Sequence, residues 1–570
     1  MIHLTIDGEP IAVEEGTTIL EAARKLHVHI PTLCYHEDQS IKAVCRICVV
    51  EVEGMRQLPT ACSTPVSEGM VVRTSSPKVL KARKNVMELI LARHPQDCLI
   101  CAKNGHCELQ KAAQDLNMNQ PNRYDMKPRA QRRDLSSPCI VRDMRKCILC
   151  NRCTEMCGKV QGIEVMAKEN RGFHTKVVPP FGKVLVDTCC VGCGQCAQAC
   201  PVGAISIRDN TDDVYHNIAA GKYMVIQMAP SVRINLAEAL GARPGTVSTG
   251  KIVHALRKIG FHKVFDSDFS ADLTIMEEGT EFLHRLQNGG TLPMFTSCCP
   301  AWVKYCETYG PDMLPHLSTA KSPQQMFGSV IKTYFAQKEG LARDQICSVS
   351  VMPCTAKKFE RQRPEMKDDV DIVITVQELA KMIRSAGIDF DDLDEQEFDE
   401  PFGLGSGAAQ IFGITGGVME AALRTVYEIV TGETLEEKLE FHAVRGFEGI
   451  REAVIPIGDL EVRVAIVHGL ANAKKIMELV REGKANYHFI EVMSCPGGCI
   501  GGGGNPPTTR KKLEARRDAI YREDRNLPIR KSHENPSIKQ IFAEFLGEPM
   551  SHKAHELLHT GYISRRDLLR

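Results

Sequence analysis

No stretch of this 570-residue chain approaches the roughly eighteen uninterrupted apolar residues of a membrane-spanning helix. The opening MIHLTIDGEP also lacks the charged-then-apolar plan of an export signal, so a cytoplasmic protein is expected. An excess of one charge is missing too. Lys plus Arg and Asp plus Glu both number 71, so no overall field favours nucleic acid or a membrane surface as partner. A dinucleotide fingerprint is absent as well. Gly403-x-Gly405-x-Gly407 follows the acidic stretch Asp389 to Glu400 without the strand, spacing and acidic follower of such a loop, and Gly416-Gly417 reads as a tight turn before a helix. Apolar residues at 43% and charged residues at 25% are ordinary for a globular protein. The length is too great for one core and points to about three to five domains. What the chain has in quantity is cysteine. Its 24 Cys fall in C-x2-C runs, a pattern of metal ligation rather than of disulfides.

Residues 1–78 open with a strand, a turn at Asp7-Gly8, a second strand, and a helix introduced by Thr18-x-x-Glu21, which has capping-box form. Cys34, Cys45, Cys48 and Cys62 follow. Three thiolates from an extended loop plus one later partner are the usual grip on a 2Fe-2S cluster, with zinc as the competing occupant. Residues 79–125 contain His94, Cys98, Cys101 and Cys107, a set whose spacing suits tetrahedral zinc as well as a cluster. A Pro- and Arg-rich connection, Pro121 to Pro138, leads to residues 138–209. There Cys147, Cys150, Cys153 and Cys157 form one run, and Cys190, Cys193, Cys196 and Cys200-Pro201 a second. This is the spacing of two-cluster bacterial ferredoxins, in which the last cysteine of each run ligates the other cluster. Cys147, Cys150, Cys153 and Cys200 are therefore assigned to one 4Fe-4S cubane, and Cys190, Cys193, Cys196 and Cys157 to the next. Cys139 and Cys189 are out of register and read as spare thiols.

From about residue 210 to 540 apolar strands alternate with amphipathic helices, which argues an α/β domain of parallel sheet character. Tyr223 to Met228, Thr291 to Phe295, Ser348 to Met352 and Tyr487 to Met493 read as strands; Lys251 to Ile259 and Asn472 to Glu482 read as helices. Three segments follow strands: TSCCPAW (296 to 302), MPCTAKKFE (352 to 360) and EVMSCPGGCIGGGG (491 to 504). They carry Cys299, Cys354, Cys495 and Cys499. Ligands so far apart can serve one metal only if the fold gathers three loops at the carboxyl ends of strands, where α/β sheets bind their ligands.

These three segments resemble, residue for residue, the signature motifs of the iron-iron hydrogenases, and the N-terminal cysteine pattern is similar to that of their multi-cluster members. The resemblance implies a multidomain α+β and α/β protein. Its parts would be a β-grasp 2Fe-2S domain (1–78), a small 4Fe-4S domain with one histidine and three cysteine ligands (79–125), a two-cluster ferredoxin domain (138–209), a large two-lobed catalytic domain (210–540) and a small-subunit-like tail (541–570). It implies one 2Fe-2S and three 4Fe-4S clusters, one of them with His94 as a neutral donor. It also implies an H-cluster, in which Cys299, Cys354, Cys495 and Cys499 hold a cubane. There Cys499 bridges to a di-iron unit bearing carbon monoxide, cyanide and a dithiolate. The reaction would be the reversible conversion of two protons and two electrons to hydrogen.

By the same resemblance Cys298 passes protons to Glu278, Ser318, Glu281 and Arg285. Glu278, Glu281 and Arg285 stand at i, i+3 and i+7 of one helix face, a spacing that on an exposed helix would be a salt-bridge row. Lys357 would meet a cyanide ligand, and Pro230, Ser231, Gln324, Met352 and Met493 would line the di-iron pocket. The run Gly501 to Gly504 would admit backbone close to the cluster. His555-Glu556-Leu557-Leu558-His559 spells the zinc-protease signature, yet no third ligand is evident in the tail. The implied partners are hydrogen and protons, ferredoxin as electron donor or acceptor, and maturation proteins that build the di-iron unit. The alternative is the catalytic subunit of an NAD(P)-linked or electron-bifurcating assembly. The N-terminal modules and the SHKAHELLHT tail look like those of hydrogenases that work with flavin- and NAD(P)-binding partner subunits. A hydrogen sensor, an electron carrier or a cluster-assembly relative is a third reading, and Cys298 with all four cubane thiolates argues against it.

Overall fold

A computed structural model describes residues 1–120, 122–124, 126–127, 131–435, 439–458 and 460–569; part of the connection from Pro121 to Pro138 lies outside them. The N-terminal sheet consists of β1 (Ile2–Ile6), β2 (Glu9–Val13), β3 (Glu51–Val52) and β4 (Met70–Arg73), in the order β2-β1-β4-β3. β1 and β2 are antiparallel across the Asp7-Gly8 turn, where both residues take positive φ, and β1 runs parallel to β4. The helix Ile19–Lys25 starts at the expected capping box. Thr18 Oγ1 accepts from the Glu21 amide at 3.3 Å and Glu21 Oε2 accepts from the Thr18 amide at 2.8 Å, so two otherwise orphan donors are satisfied. The helix Pro77–Leu91 is fastened to the first cysteine loop by the buried Arg83, whose guanidinium donates to the Val49 carbonyl at 2.8 and 3.1 Å.

In the next part, β5 (Ile140–Arg142) pairs antiparallel with β8 (Ile205–Ile207), so the start of the first cysteine run and the end of the second lie side by side. β6 (Ala167–Glu169) and β7 (Lys176–Val178) form a hairpin between the runs.

The catalytic half holds two sheets. The first, β9 (Tyr223–Met228), β10 (Lys263–Asp266), β12 (Ile346–Met352) and β13 (Ile372–Thr375), has the order β10-β9-β12-β13 and is wholly parallel. All seven residues of β12 are buried, as expected of a parallel strand covered on both faces. The second contains β11 (Met294–Phe295), β14 (Ile450–Ile457), β15 (Leu460–His468) and β16 (Phe489–Met493), in the order β11-β16-β15-β14. Here the expected parallel character stops at the edge. β14 pairs antiparallel with β15, because the short link between them can only reverse the chain. The strand expected from Thr291 is shorter too: Pro293 has no N–H to give to a ladder, and pairing begins at Met294. The expected helices span Thr249–Ile259 and Leu470–Arg481. Separate apolar clusters back the two sheets, and the long helix Ser267–Gln287, buried through most of its first four turns, gives Ala271, Ile275 and Phe282 to the cluster of the second sheet and Phe269 and Leu273 to one that includes Val225 and Ile346 of the first. No described helix is long and apolar enough to cross a membrane.

Candidate metal centres

The carboxyl ends of β9, β11, β12 and β16 meet in one place, and the three cysteine-bearing loops leave from there. Cys299, Cys354, Cys495 and Cys499 are mutual neighbours. Burial drives the Cys354 thiol well above its ordinary pKa, and the next influences are Cys495, Cys299 and Cys499. Cys495 is pushed up to about 11 by burial and then by Cys299. Cys499 is raised by burial, then by Cys495 and Cys299. Buried thiols that oppose one another's ionisation form a donor set in need of positive charge, and an iron-sulfur cluster supplies it. The Ser494 amide points at Cys299 Sγ from 3.5 Å, a contact suited to a thiolate.

The glycine run beside Cys499 admits backbone, as expected, but the backbone that arrives is that of other loops. A Cβ on Gly502 would lie 2.3 Å from the Pro353 carbonyl oxygen, and one on Gly503 2.5 Å from that of Cys193. The second ferredoxin-type site is thereby brought against the catalytic thiols, and Cys495 is among the charges acting on the Cys193 thiol. The pairing of the two cysteine runs is crossed. Cys150 senses Cys200 and Cys147, whereas Cys157 senses Cys190, and Cys196 senses Cys190 and Cys157. In the N-terminal site the four thiols touch one another: hydrogen bonds from the Cys45 and Cys62 thiols lower Cys34, one from Cys62 lowers Cys48, and the two donors are raised in turn. His94, Cys98 and Cys107 line one hollow, and burial together with Cys101 and Cys98 raises Cys107. His94 is depressed mainly by burial, which leaves a neutral ring, and its buried Nδ1 has no hydrogen-bond partner among the described residues. An imidazole in that condition fits a metal ligand.

A cavity of about 70 Å³ opens over Cys499 and Cys354. Every pocket residue named from the sequence lines it: Pro230, Ser231, Gln324, Met352, Met493, Lys357 and Cys298. Ala229, Ser267, Ala271, Pro323, Pro353, Phe412 and Gly413 complete the wall. Sequence reasoning passed them over because small and apolar side chains carry no chemical signal. Ser231 is fully buried and its hydroxyl has no partner among the described residues, which leaves it free for a polar ligand on a bound group. Lys357 Nζ donates to the Cys298 carbonyl at 3.2 Å and to Glu360 at 3.0 and 3.3 Å. Burial alone would lower its pKa, but Glu360 and the thiols raise it, so the cation persists. Glu360 was missed, although it stands within the motif three residues after Lys357. It also accepts from Ser322 Oγ and Gln324 Nε2, each at 3.0 Å, and so ties the loop at Ser322 and the cavity-lining Gln324 to the same carboxylate.

Cys298 opens onto the cavity beside Cys299, and burial followed by the charge of Glu278 holds its thiol protonated. Glu278 and Glu281 share one face of the helix Ser267–Gln287, both buried. Burial first, then the Glu281 charge, raises the Glu278 carboxyl to about 8; the Ser318 hydroxyl and Ser297 amide partly offset this, without reaching it in normal hydrogen-bond geometry. Ser318 Oγ donates to Glu281 Oε2 at 2.8 Å, and Arg285 donates to Glu281 Oε1 at 2.6 and 3.1 Å. The C-terminal segment closes over these groups. Tyr562 Oη donates to the Ser318 carbonyl at 2.5 Å, and His559 joins Glu277 at 3.0 Å to Thr319 Oγ1 at 2.8 Å. The second histidine of the protease-like signature thus fastens the tail to the carboxylate helix.

Residues 222–503 match the family described as iron only hydrogenase large subunit, C-terminal domain, and residues 510–565 match iron hydrogenase small subunit. Ahead of them, residues 1–77 match a 2Fe-2S iron-sulfur cluster binding domain, 83–122 an NADH-ubiquinone oxidoreductase-G iron-sulfur binding region, and 146–204 a 4Fe-4S dicluster domain. The chain is 50% identical to NADP-reducing hydrogenase subunit HndD of Solidesulfovibrio fructosivorans, over 100% of both sequences. It is 41% identical to iron hydrogenase 1 of Clostridium pasteurianum, over 99% of this chain and 100% of that one. A solved structure of [FeFe]-hydrogenase HydA1 from Chlamydomonas reinhardtii superposes with a TM-score of 0.57 at 40% identity, covering 63% of this chain and 99% of that one. With its thiols gathered under one cavity and its full length shared with such relatives, the chain belongs to the iron-only hydrogenases, enzymes of hydrogen conversion fed through iron-sulfur domains.

Proposed function

We propose that this hydrogenase is the hydrogen-converting subunit of an NADP-linked assembly in the cytoplasm, with the nucleotide and flavin carried by a partner subunit. The supporting observation is the end-to-end match to a subunit named as NADP-reducing, in a chain whose sequence offers no convincing dinucleotide loop. A ferredoxin-linked enzyme is the second reading, favoured by the match to iron hydrogenase 1. Affinity purification from the native host separates them. Recovery with a flavin-containing subunit, and hydrogen-dependent NADP⁺ reduction only in that complex, supports the first; a lone chain that exchanges electrons with ferredoxin refutes it.

In this reading residues 1–78 form a β-grasp 2Fe-2S domain, and Cys34, Cys45, Cys48 and Cys62 hold its cluster. His94 with Cys98, Cys101 and Cys107 holds a 4Fe-4S cluster, two more occupy the crossed ferredoxin-type sites, and Cys299, Cys354, Cys495 and Cys499 hold the H-cluster cubane. The first two sites reach the pair separately. Lys42 senses both Cys34 and Cys150, while a Cβ on Gly203, three residues after Cys200, would lie 2.5 Å from Cys101 Sγ. That arrangement is a fork with two points of electron access. His94→Ala is expected to remove about four irons from the matured protein, the content of one cubane. Iron analysis checks this, and an unchanged content rejects His94 as ligand.

The di-iron unit, built in by maturation proteins, would supply the reversible cleavage of hydrogen. The chain's own residues handle the proton. Cys298 Sγ holds it at the cavity wall, and Glu278, with a pKa of about 8, receives and returns it near neutral pH. Ser318 Oγ and Glu281 Oε2, already hydrogen-bonded, pass it on toward the surface beside the partly exposed Arg285, whose guanidinium holds the Glu281 carboxylate in place. Lys357, held by Glu360, would present a fixed cation to a cyanide ligand, and Ser231 a hydroxyl. Met352 and Met493 exclude water from the same space.

A further inference from the structure

The two ferredoxin-type sites differ in the cations beside them. At the site of Cys147, Cys150, Cys153 and Cys200 the cation that acts most on Cys150 is Arg152, and both its terminal nitrogens are engaged by Glu108 at 2.7 and 2.8 Å; the half-buried Lys42 also acts on Cys150. At the site of Cys157, Cys190, Cys193 and Cys196 the cation that acts most on Cys190 is Lys304, which lines the same cleft as Cys190; Arg142, which also acts on Cys190 and Cys196, stands 3.5 Å from the Asp134 carboxylate. Lys304 stands on the helix Pro300–Tyr309, one turn beyond the catalytic ligand Cys299. It is only 9% exposed, and among the described residues its ammonium makes no hydrogen bond or ion pair; it lies over the Phe359 ring, 4.3 Å to the centroid, and Glu307, a carboxylate that acts on it from further off, is engaged by Arg363 and Arg565. Among the charges acting on the Cys190 thiol, Lys304 is the largest. It faces a cleft of about 520 Å³ that also receives Arg208, Lys358, Arg361 and Arg565 and, among the described residues, no acidic side chain.

A buried ammonium without a carboxylate is costly to keep, unless its counter-charge is something other than a side chain. A cubane bound by four thiolates is such a counter-charge, and each electron it takes up makes it more negative. We propose that Lys304 is the electrostatic partner of the cubane held by Cys157, Cys190, Cys193 and Cys196, and that it raises the reduction potential of this cluster above that of its neighbour. The unpaired cation stabilises the reduced form more than the oxidised one, whereas the Arg152 charge is cancelled by Glu108. Because Cys193 adjoins Cys495, the electron is thereby favoured at the position next to the catalytic thiols. The inference rests on the cluster assignment proposed above.

The test is a redox titration of the matured full-length protein followed by electron paramagnetic resonance. Lys304→Gln and Lys304→Met are each expected to shift one cubane signal to lower potential. At a fixed potential its reduced-to-oxidised ratio should fall about tenfold, which is about 59 mV for a one-electron couple. Lys304→Arg should restore the wild-type position. Glu108→Gln, which uncovers Arg152, should move the other cubane signal upward. Midpoints that stay put in both neutral variants overturn the proposal, as does a shift in the signal that Glu108→Gln moves. A wild-type sample without two ferredoxin-type cubane signals overturns the cluster assignment itself, and that failure is visible before any variant is made.

Discussion

Cys298→Ser is expected to lower hydrogen turnover by about 100-fold or more while the infrared bands of metal-bound carbonyl and cyanide persist, since a positioned proton donor is worth about 10²–10⁴-fold. The side chain lies at the cavity wall next to Cys299 but outside the set of four thiols that face one another. Its loss therefore leaves the cluster ligands in place. Serine keeps the shape of cysteine, so the cavity is not enlarged, but its hydroxyl gives up a proton far less readily than a thiol. Infrared spectroscopy and a hydrogen-evolution assay on the same sample separate the outcomes. Full activity removes Cys298 from the proton route, and vanished bands make it part of the metal binding.

Glu278→Gln is expected to reduce turnover by a similar factor and, unlike the cysteine change, to make stability less dependent on pH. Burial, reinforced by Glu281, lifts the Glu278 carboxyl from 4.5 to about 8. A folded-state pKa above the unfolded one means that the folded protein holds the extra proton. The associated stability is fully present below about pH 4.5 and is lost as pH rises through about 8, an amount on the order of 5 kcal/mol for a wholly buried group. Glutamine cannot ionise. Wild type and variant should therefore unfold at similar temperatures at about pH 5, and the variant should be the more stable at about pH 9. Parallel pH profiles of the melting temperature would contradict a buried, protonated Glu278, and unaltered turnover would exclude it from the relay.

The two variants also mark how much the sequence makes legible. Cys298 and Glu278 are readable because they sit in short motifs of recognisable chemistry, and the i, i+3 spacing of Glu278 and Glu281 already sets them on one face of a helix. Glu360, His559 and Tyr562 are not readable in that way. Glu360 looks like one more charge in a Lys-rich helix turn, and its value comes from Gln324 and Ser322, which the fold brings from another loop. His559 stands in a string that spells a protease site, and only the docking of the tail shows it bridging Glu277 and Thr319. Lys304 is a plain helix residue until its burial and missing counter-ion are seen. The sheet edge is a similar case: the alternation of strands and helices suggests parallel pairing throughout, but a two-strand connection too short for a crossover reverses β14 against β15.

By itself the sequence determined the inventory of cysteines, its division into N-terminal, ferredoxin-type and C-terminal groups, and the class of chemistry. Those properties live in residue type and in local spacing, which the backbone converts directly into turns, caps and ligand loops. Only the tertiary structure decided which loops share a cavity, which cations lack a carboxylate and which carboxyl is buried enough to keep its proton. These are long-range matters of packing and dielectric surroundings, set by contacts between segments far apart in the chain that no local pattern specifies.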